Sequence, residues 1–213
     1  MPETAPFSRL YPIVDATLAG DEDAAVSAVL SFARAGLRTV QLRAKSSSAE
    51  AFWRMSVKAL TMIRGTGARL IVNDRADVAL LAQADGVHVG QDDLSAEATR
   101  RIVGPGRIIG LSTHSAEQAR DAGGAPIDYV AIGPIFDTAT KTSGIPPLGL
   151  EGVRAARRVV KKPLVAIGGI TLDRAPSVLT AGADGVAVVS ALWSPIAERR
   201  DDMVRQWVRV TES

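Results

Sequence analysis

Short apolar runs recur along the whole chain, and Ala-rich segments with helical spacing separate them. Eight runs stand out, namely LYPIVD, TVQLR, RLIVND, GVHVG, IIGLST, YVAIGPI, PLVAIGG and GVAVVS. Each is too short for a typical helix and is apolar at nearly every position, as parallel strands covered on both faces are. The pattern therefore predicts eight buried parallel strands.

The clearest helical segment follows the second run. Ser47, with Glu50 three residues later, forms a capping box at its start. An apolar stripe follows at helical spacing, formed by Phe52, Met55, Ala59 and Ile63. Several such segments end near Gly and lead into the next run, as in RAGLRTVQLR.

Eight strand-plus-helix units without a break in composition predict one (β/α)8 TIM barrel over residues 1–213, with short N- and C-terminal extensions. A doubly wound open sheet is the alternative, but its first strand normally leads into a Gly-rich turn, and VDATLAG is not one. GPGRIIG precedes its strand, so we interpret it as a helix-to-strand turn. The predicted strands end near Asp15, Arg43, Asn73, Gly90, Thr113, Pro134, Gly168 and Ser190.

Composition argues against several classes of function. The chain has 25 Lys and Arg against 23 Asp and Glu, and it has no run of like charges, which disfavours nucleic-acid binding. Cysteine is absent, which excludes disulfides, thiolate metal sites and a cysteine nucleophile. The N-terminus does not resemble a signal peptide, and no apolar stretch approaches the roughly 20 residues that span a bilayer. We expect a cytoplasmic protein without a membrane partner, and a homo-oligomer is compatible with the sequence.

Polar residues collect after the predicted strands, at the end of the barrel where this fold performs chemistry. Gln41, Arg43 and Lys45 alternate, so their side chains leave the second strand on one side. Arg is a planar donor and Lys a point charge, and together they suit a diphosphate. A solvated loop that carries two cations is the alternative.

Asp74 and Asp93 follow successive strands and suit a hard cation such as Mg2+, which prefers carboxylates, waters and phosphate oxygens. Each has a simpler alternative. Asp74 could be the N-cap of the helix that begins in RADVALLAQ, and Asp92 or Asp93 could cap a helix from Leu94.

Two later turns predict an anion site. Gly168 and Gly169 after the seventh strand, and Val189 and Ser190 after the eighth, each open a predicted helix whose backbone N–H groups would bind phosphate. Simple tight turns are the alternative. TATK after the sixth strand adds two hydroxyls and a cation beside these turns.

Both histidines have ordinary interpretations. His88 lies inside the fourth strand, where a satisfied interior residue is favoured over a catalyst, whereas His114 at a strand end fits either role.

The motifs QLRAK, IVNDRADVAL, GVHVGQDDL, IGLSTHS, DYVAIGPIFDTATK, VAIGGI and GVAVVSA, in this order, closely resemble the thiamine-phosphate synthase family. The resemblance covers nearly the whole chain. It implies a (β/α)8 barrel of thiamine biosynthesis that uses Mg2+. The implied transferase joins 4-amino-2-methyl-5-pyrimidinylmethyl diphosphate to a thiazole phosphate and releases pyrophosphate.

The resemblance also assigns residues. For the pyrimidine diphosphate it implies Gln41, Leu42, Arg43, Ala44, Lys45, Asn73, Ser112 and Lys141, with Arg43, Ser112 and Lys141 catalytic. For the thiazole phosphate it implies Thr138, Ala139, Thr140, Gly169, Val189 and Ser190, and for Mg2+ Asp74 and Asp93. The implied chemistry is Mg-assisted departure of the diphosphate, after which the thiazole nitrogen captures the pyrimidine carbocation.

One departure from the family pattern is Asp137, where proline is common; another is the TSG segment after Lys141. The nearest alternative activity is a thiazole tautomerase that would use His114. The presence of Asp74, Asp93, Arg43 and Lys141 favours the synthase. A barrel that only binds thiamine precursors is the alternative from another functional class.

Overall fold

The fold is a closed barrel of eight parallel strands, paired in sequence order with β1 next to β8. The computed structural model describes residues 5–138 and 144–212. The strands are β1 Leu10–Asp15, β2 Thr39–Arg43, β3 Arg69–Asn73, β4 Gly86–Val89, β5 Ile108–Thr113, β6 Tyr129–Ile132, β7 Leu164–Ile167 and β8 Gly185–Val188. Closure confirms the predicted barrel and rules out the open sheet.

Helices alternate with these strands and cover the barrel. They are α1 Ala16–Ala19, α2 Glu22–Arg34, α3 Ala49–Ile63, α4 Ala76–Leu81, α5 Ala96–Val103, α6 Ala116–Gly124, α7 Gly149–Val159, α8 Ala175–Thr180 and α9 Ala197–Glu212. In the part of the chain that the structure describes, no helix combines the length and the apolar character that a membrane crossing requires.

The predicted strand ends are correct to within two residues. Four strands end at the predicted residue, and the other four end one or two residues earlier, for example at Ile132 instead of Pro134. Proline has no N–H to donate to the neighbouring strand, which accounts for the early end of β6. GPGRIIG lies between α5 and β5, as predicted.

Two predicted helix starts are wrong. The cap of α3 is Ser48, whose Oγ accepts a hydrogen bond from the backbone N–H of Ala51 at 3.1 Å, and not Ser47. No helix opens at Gly169, because α8 begins only at Ala175. Gly168 and Gly169 have φ of +101° and +61°, outside the right-handed helical region.

The described residues form two separate apolar cores. The larger lies between the strands and the helices, where Leu42, Val72 and Ile132 are fully buried. The smaller fills the barrel interior with Ala5, Phe7, Tyr11, Ile13, Tyr129, Ala131, Val165 and Ala187. The small residues Ala131 and Ala187 in the later strands leave room there for the rings of Phe7, Tyr11 and Tyr129, which contact one another.

Candidate active site

The alternation in β2 separates inward from outward side chains as predicted. Gln41 and Arg43 bond to groups of β1, and Gln41 is only 2% exposed. Leu42 and Ala44 pack in the core beneath the helices. If Leu42 and Ala44 contact a ligand, only their backbone is available for it.

Arg43 has a partner that the sequence analysis did not identify. Its Nη1 forms a short ion pair with Oδ2 of Asp15, the last residue of β1, which lies in register beside Arg43. The other oxygen of Asp15 caps α1, accepting from the N–H groups of Thr17 at 2.9 Å and Leu18 at 3.3 Å. Asp15 thus anchors the guanidinium to the start of a helix, which limits the positions that Arg43 can take.

Asp74 lies in a cluster of charged side chains. Lys45 Nζ is 2.6 Å from Asp74 Oδ2, and the Asp74 backbone N–H donates to the carbonyl of His88 at 2.7 Å. Asp74 also has φ of +63°, a left-handed conformation that non-glycine residues adopt rarely and often at functional sites. It is not the cap of α4, because Arg75 occupies that position.

The carboxyl groups of Asp74 and Asp93 lie close enough to interact. Burial raises the pKa of Asp74, Lys45 lowers it through a hydrogen bond, and the neighbouring Asp93 raises it again, with a net upward shift. Asp93 Oδ2 accepts from the N–H of Gly90 at 2.7 Å. The alternative that Asp92 or Asp93 caps α5 is wrong, because Ser95 caps that helix.

His88 is a satisfied interior residue, as the sequence favoured. It is 7% exposed, its Nδ1 lies 2.8 Å from the hydroxyl of Tyr129, and its Nε2 lies 2.8 Å from Oγ of Ser112. Asn73, which is 9% exposed, lies in register beside it. The predicted substrate residue Ser112 is therefore in direct contact with the buried network.

His114 is half-buried at the end of β5. Its Nδ1 lies 2.6 Å from the carbonyl oxygen of Gly133. A carbonyl only accepts, so Nδ1 carries a proton. In the neutral ring the other nitrogen, Nε2, is then the acceptor.

The turn after β7 is packed against the segment after β6. A β-carbon at Gly169 would lie 2.3 Å from the carbonyl oxygen of Asp137 and 2.9 Å from the backbone of Phe136. After β8, Val189 packs against the inner core and Ser190 starts a short 3-10 helix, Ser190–Leu192. The glycine at position 169 is therefore required by neighbouring backbone, whatever it binds.

Arg174 is a residue that the sequence analysis missed. Its guanidinium lies 4.6 Å from the centre of the Phe136 ring, and its Nη1 donates to the carbonyl of Gly169 at 3.1 Å. It lines a cavity of about 360 Å³ with Ile135, Phe136, Asp137, Pro147 and Gly149. The only signal in the sequence was a cation five residues after GG.

A larger cavity, of about 460 Å³, lies at the opposite end of the barrel. Its lining includes Arg64, Gly65 and Gly67 before β3, and Gln83 and Asp85 before β4. None of the predicted site residues that the structure describes belongs to it. Catalytic groups of this fold gather at the other end, so cavity size does not locate the site.

Three predicted site residues, Ala139, Thr140 and Lys141, lie outside the described residues. Thr138 is described and is half-buried. Asp137, the departure from the family pattern, is exposed at the rim of the smaller cavity.

Comparison with known proteins identifies the family. The sequence profile described as "Thiamine monophosphate synthase" matches residues 10–192. The chain is 46% identical over 183 residues to a thiamine-phosphate synthase of Roseiflexus sp. (strain RS-1), covering 86% of this chain and 77% of that one. It is 43% identical over 201 residues to that of Koribacter versatilis (strain Ellin345), covering 92% and 94%.

A solved structure agrees with these sequence matches. The thiamine phosphate pyrophosphorylase from Pyrococcus furiosus superposes with a TM-score of 0.81 at 33% identity, covering 95% of this chain and 96% of that one. The resemblance inferred from the motifs is therefore confirmed, and the chain belongs to the thiamine monophosphate synthase family.

Proposed function

We propose that the protein is a thiamine-phosphate synthase that joins the aminopyrimidine methyl diphosphate to a thiazole phosphate and releases pyrophosphate. Membership of the family makes it a transferase. The observation that carries the proposal is the cluster of charged side chains at the ends of β2, β3 and β4, formed by Arg43, Lys45, Asp74 and Asp93. Two cations and two neighbouring carboxyl groups suit a diphosphate that arrives with a divalent metal ion. We also propose that the chain is one cytoplasmic barrel domain.

Asp74 and Asp93 are the residues that would hold Mg2+. Mg2+ usually takes one or two carboxylates and completes its shell with waters and phosphate oxygens. The interaction between these two carboxyl groups fits that requirement. Bound there, the ion would neutralise charge on the diphosphate.

Arg43 and Lys141 would bind the diphosphate and stabilise the charge that develops on it. As the carbon–oxygen bond breaks, its electron pair stays with the diphosphate, and fixed cations stabilise this state more than the ground state. Asp15 would hold the Arg43 guanidinium in place. The nitrogen lone pair of the thiazole then forms the new bond to the pyrimidine carbon.

The thiazole phosphate would bind between the segment after β6 and the turns after β7 and β8. Thr138, Ala139 and Thr140 would contact it from one side, and Gly169, Val189 and Ser190 from the other. Support for this placement comes from the tight packing of Gly169 on the backbone of residues 136–137.

The tautomerase alternative needs His114 as a proton-transfer group. One of its ring nitrogens is already bonded to the Gly133 carbonyl, which leaves Nε2 for that role. Such a reaction gives no role to the cluster of charged side chains around Asp74. The synthase therefore accounts for more of the described site.

An assay of pyrophosphate release tests the proposal. We expect release only when both substrates and Mg2+ are present, and loss of release in excess chelator. Isomerisation of a thiazole carboxylate phosphate by itself would instead indicate the tautomerase. Binding of both precursors without release would indicate a non-catalytic barrel.

A further inference from the structure

Five side chains form one continuous hydrogen-bonded chain across the barrel interior. Gln41 Nε2 donates to the Tyr11 hydroxyl at 3.1 Å, and the Tyr11 and Tyr129 hydroxyls lie 2.7 Å apart. Tyr129 then contacts Nδ1 of His88, and Nε2 of His88 contacts Oγ of Ser112, both at 2.8 Å. The chain thus connects β2, β1, β6, β4 and β5, and it begins and ends at residues predicted to contact the pyrimidine substrate.

The fold makes room for this chain at one position. His88, Gly110 and Tyr129 lie side by side in register on β4, β5 and β6. A β-carbon at Gly110 would lie 2.1 Å from Cζ of Tyr129 and 2.4 Å from Nδ1 of His88. Only the missing side chain at Gly110 allows the hydroxyl and the imidazole to meet across the middle strand.

Both phenols keep their protons near neutral pH. Burial raises the pKa of Tyr11 to about 12, and burial likewise raises that of Tyr129 well above its usual value. Each hydroxyl therefore has one proton to donate and can accept from its other neighbour.

Counting protons fixes the direction of the chain. Gln41 donates to Tyr11, so the single proton of Tyr11 goes to Tyr129, the other partner that the structure describes for this hydroxyl. The proton of Tyr129 must then go to Nδ1 of His88. Any reversal within the chain would leave a buried hydroxyl proton without an acceptor, which is unfavourable.

The direction continues through the imidazole. In a neutral ring, an Nδ1 that accepts requires the proton on Nε2. Nε2–H then donates to Oγ of Ser112. The proton of the Ser112 hydroxyl is consequently turned away from His88.

We propose that Tyr11, Tyr129 and His88 are positioning residues that hold His88 as the neutral Nε2–H tautomer and thereby make Ser112 a hydrogen-bond donor toward the substrate. An acceptor atom, either a ring nitrogen or a diphosphate oxygen, is the ligand group that this donor fits. The identity of that ligand rests on the proposed function, whereas the tautomer of His88 does not.

Nitrogen-15 NMR of the imidazoles tests the tautomer directly. The chain has 2 histidines, so His114→Gln assigns both sets of signals. We expect the single ring proton of His88 on Nε2, whereas Nδ1 of His114, which faces the Gly133 carbonyl, carries a proton in the same spectrum. An Nδ1–H tautomer or a protonated ring at His88 near pH 7.5 would overturn the proposal.

Tyr129→Phe and Tyr11→Phe are a matched pair of variants, because each removes one buried hydroxyl. In Tyr129→Phe the donor to His88 is lost, and we expect mixed tautomers. In Tyr11→Phe the donor Tyr129 remains, and we expect the Nε2–H form to persist. Unchanged His88 signals in folded Tyr129→Phe would refute the coupling.

Kinetics test the positioning role. In Tyr129→Phe we expect kcat/KM for the pyrimidine diphosphate to fall about 10-fold, while the KM for thiazole phosphate stays constant. A smaller fall is expected in Tyr11→Phe. Equal losses in both variants, or equal changes for both substrates, would indicate a structural role only. If the NMR result holds but the wild type releases no pyrophosphate, the proposed function fails and the tautomer assignment stands.

Discussion

Lys45 Nζ lies 2.6 Å from Asp74 Oδ2, so a residue predicted to bind the diphosphate contacts a residue predicted to bind Mg2+. No cationic partner of Asp74 was predicted, and the ion pair connects the residues predicted for the diphosphate with those predicted for Mg2+. Lys45 is 48% exposed, so this ion pair contributes little to folding. Its significance is for binding, because one ammonium group serves either the carboxylate or an incoming phosphate.

Lys45→Met should weaken binding of the pyrimidine diphosphate and ease binding of Mg2+. Loss of the charged contact should raise the KM for this substrate about 10-fold. Loss of the competing cation should lower the Mg2+ concentration that gives half-maximal rate. Steady-state kinetics with the two concentrations varied independently will measure both.

Lys58→Met is the matched control, because Lys58 forms a similar ion pair with Asp23 on the surface. Neither constant should change there. A higher Mg2+ requirement in Lys45→Met would contradict the competition between the ammonium and the metal.

Asp74→Asn should stabilise the metal-free protein at neutral pH while it abolishes activity. The pKa of Asp74 is raised by burial, with a further increase from Asp93. The folded state therefore binds more protons than the unfolded state, and stability falls as pH rises through the raised pKa. Thermal unfolding in chelator should show a higher Tm for Asp74→Asn at pH 7, and the difference should vanish as the pH falls below the usual Asp pKa of about 3.9.

Asp77→Asn, three residues away, should change the Tm in the opposite direction. Its hydrogen bond with Arg75 lowers the pKa of Asp77, so the ionised group stabilises the fold above its unfolded pKa and this is lost as pH falls. We expect a small decrease in Tm at pH 7. If Asp74→Asn and Asp77→Asn shifted Tm in the same direction at pH 7, the opposite pKa shifts of the two carboxyl groups would not explain the changes in stability.

Gly169→Ala should act through neighbouring backbone. The new β-carbon would meet the carbonyl of Asp137, and φ of +61° adds strain, so the segment before Thr138 must move. We expect a lower Tm and a KM for thiazole phosphate that rises more than the KM for the pyrimidine diphosphate.

The control for Gly169→Ala is Gly123→Ala in α6. A β-carbon there meets no atom within 4 Å, and its φ is not positive. Ala should therefore stabilise this helix slightly, by about 0.5–1 kcal/mol. Equal increases in KM for both substrates in Gly169→Ala would point to general damage of the barrel.

The fold was readable from the sequence because each buried parallel strand is a short run of apolar residues, and eight such runs are hard to arrange otherwise. The two wrong helix starts lie where the residue types fit more than one local structure or more than one cap position. Ser47 and Ser48 are equally good caps by residue type, and only the path of the chain decides for Ser48. Gly168 and Gly169 suit a helix start or a left-handed turn, and the turn is formed.

The site was predictable only in part, because motifs report which residues are present and not which ones touch. The contact between His88 and Tyr129 depends on the register of three strands and on a missing side chain at Gly110. The ion pair of Arg43 with Asp15 joins two adjacent strands through residues that are 28 positions apart in sequence. Such relationships follow from closure of the barrel and have no local signal.

Within TATK, Lys141 should act on the departing pyrophosphate and Thr140 on the thiazole phosphate. Both lie outside the described residues, so the prediction rests on the alternation of hydroxyls with a cation in the sequence. If Lys141 stabilises the departing pyrophosphate, its contribution grows as charge develops on the leaving group. Lys141→Ala should then lower kcat by about 100-fold or more, with a much smaller effect on the KM for thiazole phosphate.

Thr140→Ala should have the reverse profile. Loss of one hydroxyl to a bound phosphate should raise the KM for thiazole phosphate about 10-fold and lower kcat less. Kinetics with each substrate varied in turn will separate the two effects, and Thr142→Ala serves as a control for substitution in the same segment. Since a shared role would give both variants one profile, matching profiles for Lys141→Ala and Thr140→Ala would show that the two side chains act on the same substrate.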